Sequence, residues 1–176
     1  MASIFIGFAI TSIIQTFGFI LDRLGFLSLR ASILWRSISS VLFGIFFCIA
    51  GLGHFDAELT KKLYLPMMPP FIPYQFHTFI NTISGLVEII VGLATLVFVV
   101  TGNKYGQEVT AIAALVVLLA VFPANINVAL NPHLQKLIGH TQTFANVRLL
   151  IQVTFAIWAS WPLFPFKNIR STSGIE

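Results

Sequence analysis

Charged residues are scarce in this sequence. Only 9% of its 176 residues are Asp, Glu, Lys or Arg, whereas 57% are hydrophobic. A water-soluble domain carries about 25% charged residues, so this chain could not cover its own surface with polar side chains. It is therefore expected to lie in a lipid bilayer. The ten basic residues form no run long enough to grip phosphates, so nucleic acid is not an expected partner.

Cysteine is almost absent, and several kinds of site are absent with it. Cys48 is the single cysteine, which excludes a disulfide within the chain, a CxxC redox pair and a cysteine zinc cage. The histidines outside the apolar runs show no ligand spacing, so no metal site is predicted. The sequence also lacks a Ser-His-Asp signature, an HExxH motif and a Gly-rich phosphate loop. Nothing in it therefore identifies an enzyme that acts on its own.

Five apolar runs are present, each close to the roughly 20 residues that a helix needs to cross the hydrocarbon core. They cover about residues 4–21, 33–54, 79–101, 109–130 and 147–164. Because only a helix satisfies its own backbone in lipid, the last four predict four transmembrane helices that alternate in direction. The first run has no basic region before it and no cleavage site after it. It is interpreted as an additional N-terminal hydrophobic helix, a membrane span rather than a helix lying at the interface.

The organisation along the chain follows from these runs. It comprises an N-terminal hydrophobic helix with a basic linker (1–32), a four-helix transmembrane domain (33–166) and a polar C-terminal tail (167–176). The connection 55–78 holds four of the eight prolines, which forbids a long helix and favours extended, rigid backbone. The connection 131–146 is expected to be a polar loop.

The two ends of the helices can be told apart by charge. We call side B the end that holds the connections 55–78 and 131–146, and side A the opposite end. The ten basic residues divide six to side A and four to side B, which predicts that side A and the C-terminus face the cytoplasm. The membrane is a bacterial inner membrane or a eukaryotic plasma or organelle membrane. Trp35, Trp158 and Trp161 are expected to anchor their helices near side A.

Polar side chains inside the apolar runs converge on the side B half. They are His54, Glu88, Asn125, Asn127, Arg148 and Gln152. Glu88 lies about 14 Å from side B, counted from the start of its run at 1.5 Å per residue. An ionised carboxylate at such a depth costs roughly 2.5–3.5 kcal/mol, so it needs protonation or a partner. Arg148 is the expected partner, since two extended side chains could span the roughly 10 Å between their depths, and His54 and Gln152 are the next candidates.

Helical spacing places these polar residues on defined faces. In the third run, residues recur at intervals of three and four, forming a stripe of Asn81, Ser84, Gly85, Glu88, Gly92 and Thr95. The second run carries a matching stripe of Arg36, Ser40, Gly44, Phe47, Gly51 and His54. Small residues let membrane helices approach closely, and polar ones are kept away from lipid. His54 and Glu88 are therefore expected to point into the bundle.

Two interpretations of the polar cluster remain open. Glu88 and Arg148 are either a structural pair that fixes helix register or part of a site for a ligand, a proton or a quinone. Gln152, Asn125 and Asn127 are more typical of hydrogen bonds between helices.

Five short motifs, in their order and spacing, resemble the DoxX-like family of small four-helix membrane proteins. They are AGLGHF (50–55), MPPFIP (68–73), SGLVEIIVG (84–92), FPANINVAL (122–130) and RLLIQVTFAIW (148–158). The resemblance covers roughly residues 33–164 and implies an all-α protein, an up-and-down four-helix transmembrane bundle. The residues that it singles out are His54, Pro69, Pro70, Pro73, Glu88, Pro123, Asn125, Arg148 and Gln152. The namesake of the family is a membrane subunit linked to thiosulfate oxidation with quinone as acceptor, whereas cysteine-based redox chemistry lies outside the resemblance.

The sequence thus predicts a membrane protein that binds a hydrophobic small molecule, a quinone or a lipid, in the side B half, as a membrane component of a redox system. The predicted site comprises His54, Glu88, Asn125, Arg148 and Gln152. Pro69, Pro70 and Pro73 would form a rigid lid loop over it. The alternative is a non-enzymatic membrane scaffold or assembly factor, with protein partners or a homodimer, whose polar cluster only locks the bundle.

Overall fold

The computed structural model describes residues 2–165, with side chains from residue 6 onward. All regular structure in this range is helical. The elements are α1 (Ala2–Leu24), α2 (Leu29–Gly53), α3 (Ala57–Leu59), a π-helical turn (Thr60–Tyr64), α4 (Leu65–Met67), a 3₁₀ turn (Tyr74–Phe76), α5 (His77–Val100), α6 (Lys104–Leu130), α7 (Pro132–Leu137), α8 (Gln142–Ser160) and a second 3₁₀ turn (Trp161–Leu163). The predicted polar tail 167–176 lies outside the described residues.

Short polar side chains begin the helices where the sequence leaves the apolar runs. Ser28 accepts a hydrogen bond from the backbone of Ala31 at the start of α2. Thr141 accepts a hydrogen bond from the backbone of Phe144 at the start of α8, and Asn103 accepts one from the backbone of Gly106 at the start of α6. Such caps satisfy backbone N–H groups that have no partner within the helix. Gly102, with φ +66°, turns the chain between α5 and α6, a conformation that glycine adopts without strain.

Four helical segments are long and apolar enough to cross a membrane. They are Ile6–Leu24, Leu29–Gly53, Tyr74–Val100 and Lys104–Leu130. The first apolar run is thus among them, as expected. The fifth run, which was expected to be a span, forms α8 and falls outside this set. The reason is its composition, since 19 residues must accommodate Gln142, Asn146, Arg148 and Gln152.

The connections on side B contain more helix than the sequence predicts. Residues 57–67 are helical throughout, in three short pieces, although extended backbone was expected. Pro66 is tolerated because it lies at the start of α4, where a missing N–H costs little. In the other connection, Asn131 accepts a hydrogen bond from the backbone of Leu134 and starts α7. A polar loop was expected for this segment because the cap at Asn131 was not recognised.

α2 and α5 touch backbone to backbone through the glycines of the two predicted stripes. A Cβ atom placed on Gly51 would lie 2.6 Å from the carbonyl oxygen of Gly85, and one on Gly44 would lie 2.9 Å from that of Gly92. The predicted close approach of the small-residue stripes is confirmed. Gly85 also faces His54, since a Cβ on Gly85 would lie 2.6 Å from the Cβ of His54. The same contact therefore brings the end of α2 against the polar face of α5.

Polar contacts fix α1 to the rest of the molecule. The hydroxyls of Ser12 and Thr154 lie 2.9 Å apart, and Thr16 donates to the carbonyl of Thr154. Trp35 donates to Gln15 at 2.9 Å. Hydrogen bonds between apolar helices of this kind define which faces meet. α1 therefore packs against α8 and α2 in a defined register.

Asp22 is the centre of a buried cluster at side A. Its carboxylate accepts hydrogen bonds from Ser32 at 2.5 Å and from Trp161 at 3.0 Å, and forms an ion pair with Arg36 at 2.7 Å. Trp161 and Trp158 are each only 2% exposed. The expectation that these two tryptophans are interfacial anchors is therefore wrong, because their ring N–H groups donate to partners inside the protein.

The apolar core has two parts, one toward each end of the helices. Toward side A, the buried apolar residues are Phe43, Phe47, Val91, Ala114, Trp158 and Ala159. Toward side B they are Met67, Val128, Ala129, Leu134 and Ala145. Met67 brings the proline-rich connection into the second cluster. That connection is therefore packed against α6 and α8.

The close approach of α2 and α5 gives a first prediction. Gly51→Ala places a methyl group against the backbone of α5 and is expected to destabilise the protein by about 1–3 kcal/mol, the usual cost of overpacking. Gly7→Ala is the matched control, because a Cβ there meets nothing within 4 Å. Equilibrium unfolding in detergent would measure both changes. Equal midpoints for the two variants would contradict the backbone contact.

Candidate functional site

The five residues predicted to form the site fall into three contacts rather than one. His54 and Glu88 face each other, with 3.7 Å between Nε2 and Oε2. Asn125 donates a short hydrogen bond to the side-chain oxygen of Gln152. Arg148 donates to the sulfur of Met67 at 3.4 Å. All five lie toward side B, as predicted, but Glu88 faces His54, a second candidate, rather than Arg148.

The imidazole of His54 is held in one tautomer by Asn81. The amide nitrogen of Asn81 lies 2.9 Å from the backbone carbonyl of His54, and a carbonyl oxygen can only accept, so this nitrogen is the donor. The side-chain oxygen of Asn81 is then the atom that lies 2.8 Å from Nδ1 of His54. Nδ1 must therefore carry the proton. In the neutral ring, Nε2 is left as an acceptor that faces Glu88.

The π-helical turn frames His54 with two further residues. Tyr64 stacks on the imidazole, with 4.0 Å between ring centroids and 15° between the planes. The hydroxyl of Thr60 donates to the His54 carbonyl at 2.7 Å. Turns of this type are rare and often occur at functional sites. The burial of the His54 ring lowers its pKa, and the hydrogen bond to Asn81 opposes this effect.

Thr60 and Tyr64 are absent from the residues predicted by sequence. A local signal existed: Asp56 follows His54 closely and accepts a hydrogen bond from the backbone of Leu59, which starts a helical segment. This cap predicts a helical return after α2. With it, Thr60 and Tyr64 would have been placed one turn apart on a face near His54.

Glu88 is buried, with 8% of its surface exposed. Its Oε2 atom has no hydrogen-bond partner among the described residues. Burying a polar group without a partner costs about 1–3 kcal/mol, and more for a charged one. Few native residues remain in this state without a reason, such as a catalytic role or a bound molecule.

The predicted ion pair between Glu88 and Arg148 is wrong. In the described part of the chain, the basic group at ion-pair distance from Glu88 is His54, and Arg148 contacts a thioether instead. Tyr64 lies within electrostatic reach of both charges. Burial is the main cause that raises the pKa of its phenol; the negative charge of Glu88 adds to the effect and Arg148 opposes it. The depths of Glu88 and Arg148 along their helices could not show that Tyr64, from the connection between α2 and α5, would lie near both of them.

Asn125 and Gln152 link α6 to α8. Gln152 donates to the carbonyl of Leu118 at 2.7 Å, in the turn of α6 that precedes Pro123. The side-chain oxygen of Asn125 is buried and has no hydrogen-bond partner among the described residues. The sequence-based interpretation of Gln152 as a hydrogen bonder between helices agrees with this geometry.

The proline-rich connection lies over this half of the molecule. Pro69 is buried, whereas Pro70 and Pro73 are exposed. Asn127 on α6 donates to the carbonyl of Met68 at 3.2 Å, which fixes the loop to the helix. A role for the three prolines as a lid stays a prediction.

The chain was compared with models of protein families. Residues 43–162 match the family described as a domain of unknown function, DUF8561. The chain belongs to this family. No curated protein and no solved structure matches it. The DUF8561 domain contains all the contacts of His54, Glu88 and Arg148 described above, whereas α1 and Asp22 precede it.

Within the DUF8561 domain, the side-chain geometry is that of a small proton-donor and proton-acceptor site. Nε2 of His54 is an acceptor when the ring is neutral, and the carboxyl of Glu88 is a donor when it is protonated. The gap of 3.7 Å between them is too long for a hydrogen bond. A ligand atom that both donates and accepts would satisfy both groups at once.

The tautomer of His54 can be measured directly. In the ¹⁵N spectrum of histidine-labelled protein, His54 is expected to carry its proton on Nδ1, and Asn81→Ala should remove this preference because the acceptor is lost. Thr82→Ala is the matched control, since the Thr82 hydroxyl bonds back to its own helix. The His54→Gln spectrum assigns the signal. A proton on Nε2 in the unmodified protein would contradict the assignment.

Proposed function

We propose that this chain is an integral membrane protein that binds the polar head group of a hydrophobic small molecule, a quinone or a lipid, beside the facing side chains of His54 and Glu88. One observation carries the proposal: Oε2 of Glu88 is buried without a hydrogen-bond partner and faces a histidine nitrogen of fixed tautomer. Convergent polar groups in apolar surroundings are typical of ligand sites. The DoxX-like resemblance supports the same interpretation and suggests a role as a membrane component of a redox system.

The outward surface of the helices supports insertion in a bilayer. Large apolar side chains are exposed on each of the long helices of the DUF8561 domain, for example Ile90 at 63%, Leu119 at 72% and Leu150 at 68%. An apolar exterior of this extent suits lipid rather than water. α8 would also cross the membrane, because its polar Gln152 is 7% exposed while Leu150 faces outward. The helices would then form an up-and-down bundle with the C-terminus in the cytoplasm.

The chemistry of the pair favours a head group with hydroxyl or carbonyl oxygens. A hydroxyl donates to Nε2 of His54 and accepts from the protonated carboxyl of Glu88. A carbonyl oxygen accepts from either group when that group carries the proton. Quinols and quinones offer these two functions on a hydrophobic ring. Hydroxyl-bearing lipids offer the first of them.

A second candidate function is a non-enzymatic scaffold or assembly factor. It is favoured by the contacts of Asn125, Gln152 and Asn127, which are made within the protein and link α8, α6 and the proline-rich connection. In this case the polar cluster only fixes how the helices pack. Protein partners or a second copy of the chain would bind elsewhere on its surface.

The two functions predict opposite effects of Glu88→Gln. For a ligand site, the amide removes the acid that binds the head group, so affinity for a quinone with a ten-carbon tail should fall tenfold or more, the usual worth of a hydrogen bond to a charged or acidic group. Thermal stability should be kept, since Oε2 has no protein partner to lose. Equilibrium dialysis of the purified chain and its melting temperature in detergent measure both quantities.

Glu58→Gln provides the matched control for this experiment. Glu58 lies on the same side of the molecule but is exposed and paired with Lys62. Its substitution should change neither quantity. A folded Glu88→Gln variant with unchanged affinity for every quinone and lipid tested would contradict the ligand site. A large loss of stability with no binding by the unmodified protein would support the scaffold.

A further inference from the structure

Arg148 is the one cation in the side B cluster for which the described residues provide no acidic partner. The ion pairs of those residues join Arg36 to Asp22, Lys62 to Glu58 and His54 to Glu88. The contact of Arg148 is to the thioether of Met67. A guanidinium has five N–H donors, and a thioether sulfur is a weak acceptor. Most of the hydrogen-bonding capacity of Arg148 is therefore unused by the protein.

Two further polar groups lie close along the chain to Arg148 or to the residue that it contacts. Nδ1 of His140 is buried and has no hydrogen-bond partner among the described residues, so it can donate when it carries a proton. The His140 ring packs on Phe144, one helical turn before Arg148. Burial lowers the pKa of His140, and the charge of Arg148 adds to this effect. Tyr64 is three residues before Met67, which Arg148 contacts. The hydroxyl of Tyr64 is a third group that can donate.

From this arrangement we infer that the molecule bound in the side B half is an anionic amphiphile, whose phosphate or carboxylate is bound by Arg148 together with Tyr64 and His140. The inference rests on the proposed function, since it names the chemical class of the ligand of the same site. A planar guanidinium binds either anion through two parallel hydrogen bonds. A partly buried cation without an internal counterion is also strongly favoured by such a partner.

In the part of the chain that the structure describes, Arg148 and Glu88 do not form an ion pair, so they could bind different parts of one head group. This arrangement fits an amphiphile whose head group carries its negative charge at one end and uncharged oxygens at the other. Glu88 is next to His54, and the pair has no net charge when the carboxyl is protonated or when the imidazole carries a second proton. The phenol of Tyr64 lies within electrostatic reach of both Glu88 and Arg148. The anion would therefore occupy the Arg148 end, and uncharged oxygens of the same head group would meet the His54–Glu88 end.

A matched pair of lipids tests the inference. Phosphatidic acid and the diacylglycerol with the same acyl chains differ only in the phosphate, so their binding to the full chain in detergent is compared by native mass spectrometry. Phosphatidic acid should bind at least tenfold more tightly. Arg148→Gln should remove this preference, and Lys136→Gln, an exposed cation on the same side, should not. Arg148→Lys should lose part of it, because the charge remains but the planar donor pair is absent.

The outcomes separate this inference from the proposed function. Equal binding of the two lipids, with both lost in Glu88→Gln, would overturn the anionic class and leave the ligand site intact. Binding of neither lipid nor quinone would overturn both proposals. Displacement of phosphatidic acid by millimolar inorganic phosphate would overturn the amphiphile as the source of the anion. If Arg148→Gln does not fold, Tyr64→Phe provides the second variant, and an unchanged preference in both Tyr64→Phe and Arg148→Lys would contradict the inference.

Discussion

The close contact between α2 and α5 is the constraint on which the rest of the side B half depends. Gly51 and Gly85 let the two backbones approach so closely that an added methyl group on either would clash. Because of this contact, the ring of His54 at the end of α2 reaches the carboxyl of Glu88. Asn81, one helical turn before Gly85, then holds His54 through both of its amide atoms: its oxygen accepts from the imidazole, and its nitrogen donates to the backbone carbonyl.

The energetics of Glu88 explain why we interpret the pair as a site. A buried carboxyl oxygen without a hydrogen bond is costly, and the surrounding structure provides donors for other acceptors but none for this one. Arg148 lacks acceptors instead of donors, since among the described residues its guanidinium donates only to the sulfur of Met67. A polar ligand would satisfy both groups in this half of the molecule, because it could donate to Glu88 and provide an anion for Arg148. Elsewhere the protein pairs polar groups between its own helices, as Gln152 does when it donates to the carbonyl of Leu118.

Much of this arrangement could be predicted from the sequence. Periodicity identified the helices and the two glycine stripes, and therefore the faces on which His54 and Glu88 lie. The choice of His54 over Arg148 as the neighbour of Glu88 could not be predicted, because an estimate of depth along a helix says nothing of which segment lies between two residues. Tyr64 comes from a π-helical turn in a connection whose prolines favoured extended backbone. The polar character of α8 and the burial of Trp161 on Asp22 depend likewise on contacts between distant parts of the chain.

The interpretation of this site depends on a molecule from outside the protein that lies beside His54 and Glu88 and contacts both side chains. An experimental density map of the chain extracted from its native membrane, without replacement of the bound lipids, tests it most directly. We expect non-protein density within hydrogen-bond distance of Oε2 of Glu88, with an anionic end toward Arg148. Side chains packed against Oε2, with a protein donor at that atom and no additional density, would contradict it.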